Sequence, residues 1–246
     1  MGFDVPKRPV KVYSIIPLNI FQTWHSLELS EKMGENVELL KRSNPEFKHY
    51  LYDDAMCRQF IKDNFDEDVV YSFDKLKPGA YKADLWRYCV LYVHGGIYLD
   101  IKYRCTNGFK LLELTDKEYF VRDLQHDECT GIYQALMVHL PHNSVLLKAI
   151  NKIVEHCKNN SYTNVNPLSV TGPGLLGSLV CFKDIDAWLT LIDGAIIVKN
   201  NNNIMEYYPE YRREQINTQK TPHYHIMWHT KAIYNYPVLE PICTVD

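Results

Sequence analysis

The residues best placed to do chemistry lie between positions 95 and 103. If this stretch is a strand, successive side chains point to opposite faces. Tyr98, Asp100 and Lys102 then share one face, and the other face carries Ile97, Leu99 and Ile101. An apolar strand that ends by presenting a carboxylate and an ammonium on one side is typical of the rim of an active site.

A second charged pair, Asp84 and Arg87, lies three positions apart in a helix predicted over Ala80–Val93. Residues at this spacing are neighbours on a helix surface, and such pairs are usually exposed ion pairs of little energetic value. Here the turn at residues 94–96 joins the helix directly to the strand that ends at Asp100. The helix surface and the strand end therefore converge on one cleft. The Gly-Gly of the turn fits a plain helix stop and a close approach to a ligand equally well.

The surrounding pattern predicts strands alternating with helices. Predicted strands cover Val10–Ile16 with Asn19–Trp24, then Phe47–Tyr52, Tyr119–Val121 and Ile196–Val198. Predicted helices run from Ser30 to Arg42, from Asp53 or Asp54 to Asn64, over Asn143–Lys158, and briefly after the turn at residues 171–174, while Asn200–Asn203 reads as a loop. This alternation predicts an α/β fold with a mostly parallel central sheet flanked by helices. Ligands of such sheets bind at the carboxyl ends of the strands, where Asp100 lies.

Bulk properties narrow the class of protein. The 246 residues suffice for one domain spanning 1–246, and 46% hydrophobic with 23% charged residues is an ordinary globular composition. A net charge of −3 without a basic cluster argues against nucleic-acid binding. Seven scattered cysteines without a CxxC spacing favour a reducing compartment. Because no window has the ~18 apolar residues of a membrane span, and no signal peptide is evident, we expect a cytoplasmic protein.

Other catalytic motifs are missing from the sequence. It has no G-x-S-x-G elbow, no P-loop and no G-x-G-x-x-G. His223, His225 and His229 invite a zinc interpretation, but their spacing fits no common zinc pattern. No pair of carboxylates is spaced in a way that identifies a nucleophile or a general base.

The run KADLWRY at residues 82–88, followed by YVHGGIYLD at residues 92–100, resembles the core of a known family. This is the glycosyltransferase family whose sugar-binding region contains a DXD motif, carbohydrate-active family thirty-two. Further segments that resemble the family occur in the same order as in the family, at residues 20–24, 44–45, 50–54 and 171–173. The resemblance covers about residues 15–180, with a looser match over the tail, about 200–246. The compact form is most similar to members of the family from large DNA viruses, which would place the protein in the host cytoplasm.

The resemblance implies a GT-A-type nucleotide-sugar-binding fold and transfer of a sugar, with retention, from a UDP- or GDP-sugar to a glycan or protein acceptor. Trp24 would stack on the base, and Asp84 and Arg87 would bind hydroxyl groups of the ribose and the sugar. Tyr98, Thr171 and Gly172 would also bind substrate. Asp100 and Lys102 would be the catalytic residues, and a tail segment with Trp228 and His229 would close over the donor.

Lys102 departs from the family pattern, because the second acid of the motif normally binds Mn²⁺ or Mg²⁺, which neutralises the leaving diphosphate. Three interpretations remain open. Lys102 itself supplies positive charge, helped by a second cation such as Arg104 or Lys231; a metal binds through Asp100 and tail ligands such as His225 or His229; or catalysis is lost. The alternatives to a transferase are accordingly a non-catalytic nucleotide-sugar or glycan-binding protein and a nucleotide-sugar hydrolase.

Overall fold

The computed structural model of the protein describes residues 14–123, 131–162, 166–185, 188–218 and 221–235. Within these ranges the strands are β1 (Asn19–Thr23), β2 (Lys48–Tyr52), β3 (Gly96–Leu99), β4 (Tyr103–Cys105), β5 (Tyr119–Arg122), β6 (Ile132–His139), β7 (Trp188–Ile192), β8 (Ile196–Lys199) and β9 (Asn202–Tyr207). The α-helices are α1 (Glu31–Ser43), α2 (Asp54–Asn64), α3 (Glu67–Lys75), α4 (Gly79–His94), α5 (Ser144–Lys158), α6 (Pro173–Ser178), α7 (Tyr211–Thr218) and α8 (Tyr224–His229).

The strands form one sheet in the order β2-β1-β3-β6-β5-β7-β8-β9-β4, flanked by helices. The α/β prediction is therefore confirmed, but the prediction of a mostly parallel sheet is wrong. Only the pairs β1–β2, β1–β3 and β5–β7 are parallel, and the other neighbours in the sheet are antiparallel. The reason is that β7, β8 and β9 follow one another through tight turns, whereas a parallel pair needs a long crossover.

Two turns make this antiparallel part of the sheet. Asp193 and Gly194, between β7 and β8, have φ values of 48° and 69°. Asn200 and Asn201, between β8 and β9, have φ values of 50° and 63°. Two successive residues with positive φ are typical of the tight hairpin turns that match strand twist. The asparagine loop is thus limited to Asn200 and Asn201, and the next two asparagines begin β9.

The helix α4 and the strand β3 form the predicted unit that positions the charged residues. Gly95 and Gly96 join them with φ values of 60° and 107°. A Cβ atom on Gly96 would lie 2.8 Å from the backbone oxygen of Asn19, and one on Gly95 would lie 2.6 Å from the ring of Pro141. The two glycines therefore allow close packing of the chain against itself, which favours the helix-stop interpretation.

Buried residues lie on both faces of the sheet. One cluster packs α2, α3, α4 and α5 against it, with Trp86, Tyr88 and Val90 of α4 fully buried. Asp84 and Arg87 are also buried, so α4 is enclosed on almost every side rather than exposing a polar face. The predicted helices α1, α2 and α5 are confirmed within two residues at their ends, and the short helix predicted after residues 171–174 is α6, which begins within that turn at Pro173. Among the described residues, no helix is long and apolar enough to cross a membrane.

Candidate functional site

A cleft of about 430 Å³ opens where β1 and β3 end, and its volume suits a small-molecule ligand. Trp24 follows β1, and Asp100 follows β3, so the carboxyl ends of two parallel strands contribute to it. The start of α4, α7 and residues 221–224 complete the lining. Among the predicted site residues, the cleft is lined by Trp24, Arg87, Tyr98, Asp100 and Lys102.

The Asp100 carboxylate is held from three sides at the floor of the cleft. Its Oδ1 accepts a hydrogen bond of 2.7 Å from the Tyr98 hydroxyl and lies 3.6 Å from a guanidinium nitrogen of Arg87. Its Oδ2 lies 2.7 Å from Nζ of Lys102. Burial raises the pKa of this carboxyl, but Lys102 and Arg87 outweigh burial and hold it below its ordinary value. Asp100 is therefore an ionised carboxylate with a partner at each of its two oxygens.

The strand prediction needs one correction at this point. β3 ends at Leu99, and the next residues form a turn in which the Tyr103 amide donates to the Asp100 carbonyl at 3.0 Å. Tyr98, Asp100 and Lys102 nevertheless come together as predicted, because this tight turn keeps Lys102 against Asp100. The turn also brings Ile101, predicted for the opposite face, into the lining of the cleft.

Arg87 lies beside Asp84 on α4, as their spacing predicts, and it also contacts residues of the sheet. Its guanidinium lies 3.3 Å from Asp84 and donates to the Gln134 carbonyl at 2.9 Å. The guanidinium carbon also lies 4.4 Å from the centroid of the Tyr98 ring. Burial lowers the pKa of Arg87, but the surrounding tyrosines and carboxylates raise it above its ordinary value. Arg87 is thus a fixed buried cation with one side toward the cleft.

Asp84 lies behind Arg87 and does not line the cleft. Its Oδ2 accepts a hydrogen bond of 2.7 Å from the hydroxyl of Thr171, which is fully buried. Burial raises the pKa of Asp84 to about 6, although Arg87 and Thr171 act in the opposite direction. A Cβ atom on Gly172 would lie 3.6 Å from Asp84, so Gly172 also lies beside this carboxylate. Thr171 and Gly172 contact Asp84 rather than the open cleft.

Lys102 is surrounded by tyrosines. Its Nζ lies 5.1 Å from the ring centroid of Tyr207, 5.5 Å from that of Tyr133 and 5.8 Å from that of Tyr103. The hydroxyls of these rings form a chain, from Tyr103 to Tyr133 at 3.0 Å and between Tyr133 and Tyr207 at 3.1 Å. Burial lowers the pKa of Lys102, but Asp100 and then the tyrosines raise it above the ordinary value. Lys102 is therefore a permanently charged ammonium at the cleft.

These residues do not fit the two-acid metal site of the family pattern. Both oxygens of Asp100 are engaged, and one of them faces an ammonium rather than a second carboxylate. His229 lies on α8 with its Nε2 3.2 Å from that of His225, and neither histidine lines the cleft. Throughout the part of the chain that the structure describes, no three His, Cys, Asp or Glu side chains lie together in a metal-binding group.

Residues 30–121 match the model of the "Glycosyltransferase sugar-binding region containing DXD motif". This part of the chain is therefore similar to the sugar-binding region of a glycosyltransferase family. The matched stretch contains Asp84, Arg87, Tyr98, Asp100 and Lys102. The charged network at the cleft therefore lies within the stretch that matches the family model.

Curated proteins are also similar to parts of the chain. The chain is 27% identical over 159 residues to inositol phosphoceramide mannosyltransferase 2 of Schizosaccharomyces pombe, covering 65% of this chain and 44% of that one. It is 26% identical over 193 residues to mannosyl phosphorylinositol ceramide synthase SUR1 of Saccharomyces cerevisiae, covering 78% and 47%. With the uncharacterized glycosyltransferase L373 of Acanthamoeba polyphaga mimivirus, identity is 36% over 93 residues, covering 37% of each chain. The chain thus spans less than half the length of these relatives.

The sequence did not single out several residues that line this cleft. Arg212 and Tyr211 come from α7, Tyr207 from the end of β9, and Tyr133 from β6. The tyrosines between positions 207 and 211 are a compositional signal that could have pointed to this segment. Arg104, the cation suggested by the sequence, instead pairs with Glu206, which lies opposite it on β9.

Proposed function

We propose that the protein transfers a sugar from a nucleotide-diphosphate sugar to an acceptor, with retention at the anomeric carbon, and that Lys102 stabilises the departing diphosphate in place of a divalent ion. The observation that carries the proposal is the charged Lys102 ammonium beside Asp100 at the floor of the cleft. An ammonium has three donors, so Lys102 can keep its contact with Asp100 and still donate to a phosphate oxygen.

The proposed reaction requires a correctly positioned donor and positive charge near its diphosphate. When the bond between the sugar and the diphosphate breaks, negative charge grows on the diphosphate, and cations already fixed near it stabilise that charge. Arg87 and Lys102 both line the cleft and both stay charged. Trp24, at the end of β1, offers an aromatic face for the nucleotide base, and such stacking contributes about 1–3 kcal/mol per base.

The names of the relatives guide the choice of substrates. Two of them are named for mannosyl transfer and for an inositol-containing ceramide. We therefore propose a mannosyl donor as the first to be tested, within a panel of UDP- and GDP-sugars. Glycan and protein acceptors remain in the proposal, and an inositol phospholipid is added as a third class of acceptor. A cytoplasmic location remains part of the proposal as well.

Nucleotide release from this panel tests the reaction. Release that requires an acceptor supports transfer, and release without an acceptor indicates a hydrolase. Donor binding, measured as a thermal shift, without any release would indicate a binding protein. The last outcome is the second candidate function, and it is favoured because both oxygens of Asp100 already have partners within the protein.

The role of Lys102 is tested with Lys102→Asp, which restores two acids to the motif. We expect wild-type transfer to continue in EDTA, and we expect the variant to be inactive in EDTA and to recover activity with Mn²⁺. Lys117→Asp is the matched control, because Lys117 is exposed and lies outside the cleft lining. If EDTA abolishes wild-type transfer and Mn²⁺ restores it, Lys102 does not replace the metal.

A further inference from the structure

Arg212 is a cation at the cleft to which no role has been assigned. It is the second residue of α7, it is exposed, and it lines the cleft together with Tyr207 and Tyr211. Its guanidinium carbon lies 5.3 Å from the ring centroid of Tyr207 and 5.6 Å from that of Tyr211. One of its nitrogens donates to the Gln215 side chain at 3.1 Å. These contacts hold the head group beside the opening of the cleft.

The charge of Arg212 is not neutralised by a neighbouring acid. Among the residues that the structure describes, no carboxylate forms an ion pair with it. Glu214, on the same helix, is engaged by the backbone amides of Lys32 and Met33 and by the Tyr208 hydroxyl. Among the described residues that line the cleft, three side chains carry a permanent positive charge, namely Arg87, Lys102 and Arg212. Two are carboxylates, namely Asp54 and Asp100.

Arg212 and Lys102 meet at one aromatic ring. Nζ of Lys102 lies 5.1 Å from the centroid of the Tyr207 ring, and the guanidinium carbon of Arg212 lies 5.3 Å from the same centroid. Lys102 is largely buried and anchored to Asp100, whereas Arg212 is exposed at the opening of the cleft. The same ring is therefore in contact with one buried cation and one exposed cation.

We propose that Arg212 binds the diphosphate of the donor jointly with Lys102, so that two single positive charges do the work of one divalent ion. The inference rests on the proposed function and names the residue that completes its charge balance. A guanidinium suits this role because its planar fork binds phosphate oxygens bidentately. The cations suggested by the sequence do not, because Arg104 is paired with Glu206, and Lys231 lies over the rings of Tyr162 and Trp228, outside the cleft lining.

The test compares Arg212→Gln with Arg213→Gln. Arg213 is the next residue on α7, is also exposed and does not line the cleft, so its variant loses the same charge at almost the same place. Binding of UDP, GDP, UMP, GMP, uridine and guanosine is measured by calorimetry in EDTA. For the diphosphate that the wild type prefers, we expect Arg212→Gln to weaken binding about 10-fold, which corresponds to the loss of about 1.4 kcal/mol. Nucleoside binding should stay unchanged.

The pattern across the series separates the possible outcomes. Arg213→Gln should leave diphosphate affinity within about 2-fold of the wild type, since a screened surface charge contributes little. Arg212→Lys, which keeps the positive charge, should retain part of the diphosphate affinity that Arg212→Gln loses. Equal weakening by the two Gln variants, or unchanged diphosphate affinity in Arg212→Gln, would overturn the role of Arg212 while leaving the transferase proposal intact. If the wild type binds neither diphosphate nor any sugar donor of the panel, the proposed function and this inference both fail.

Discussion

Replacing Lys102 with methionine should reveal how strongly the cleft depends on its fixed cation. The substitution keeps an unbranched side chain of similar length and removes the ammonium that lies 2.7 Å from Asp100. Asp100 would keep the Tyr98 hydrogen bond and the more distant Arg87 at 3.6 Å. A largely buried carboxylate would thus lose its nearest positive charge.

The size of the effect follows from distance and burial. At an effective dielectric constant of about 20, two unit charges at this separation attract by roughly 6 kcal/mol before the cost of desolvation is counted. Removing one partner of a fully buried pair typically costs about 3–5 kcal/mol. Because the side chains of Lys102 and Asp100 keep 15% and 19% of their exposure, and because Arg87 remains, we expect the smaller value of about 2–3 kcal/mol.

The assay is a double-mutant cycle in urea at neutral pH, with Lys102→Met, Asp100→Asn and the double variant. We expect a coupling energy of about 2 kcal/mol, within the usual range for contacting residues. Arg58 and Asp74 supply the control, because they are also 2.7 Å apart but their side chains are 44% and 42% exposed. An Arg58→Gln/Asp74→Asn cycle should give at most about 1 kcal/mol. Equal coupling energies in the two cycles would refute the reasoning that burial strengthens the Lys102–Asp100 pair.

Two further predictions concern the donor site and its pH dependence. Trp24→Ala should raise the donor KM at least about 5-fold by removing a stacking surface, while Trp228→Ala, outside the cleft lining, should not. Burial raises the pKa of Asp84 to about 6, so the folded protein holds the Asp84 proton more tightly than the unfolded chain does. The stabilisation from this proton is fully present below the unfolded pKa near 4 and is lost as pH rises through 6. Thr171→Val should move this loss to higher pH in urea titrations, whereas Thr115→Val, which removes only a hydrogen bond to a backbone carbonyl, should lower stability equally at every pH.

The central unit of the site could be predicted because its signals are local. The helix α4, the Gly-Gly turn and β3 are consecutive, and the alternation around Asp100 brings Lys102 to it even though the strand itself stops at Leu99. The contact of Thr171 with Asp84 joins residues 87 positions apart, so no periodicity could indicate it. Its only signal in the sequence was the resemblance to a family.

What sequence reasoning missed lies mainly where the pattern carries no periodicity. β6 is a nearly continuous buried run, IYQALMVH, which does not distinguish a strand from a helix. α7 reads YRREQINT and buries only Tyr211, so it has no apolar stripe to predict it. Arg212 was overlooked because this helix was overlooked. The pairing of Arg104, one of the two cations that the sequence suggested, with Glu206 could not be predicted because Glu206 lies on β9, a strand that the sequence did not indicate.

Lys102 balances the charges of the buried groups around it at the cleft. Asp84, Arg87, Asp100 and Lys102 form one connected network whose formal charges sum to zero when all four are ionised. Exchanging Lys102 for an acid would leave three carboxylates around Arg87, a net charge of −2 for the network. A divalent ion would restore neutrality at a site where largely buried carboxylates are only partly hydrated. Lys102→Asp should therefore make folding stability, as well as transfer, depend on Mn²⁺, and thermal unfolding with and without EDTA would detect that dependence in the variant and its absence in the wild type.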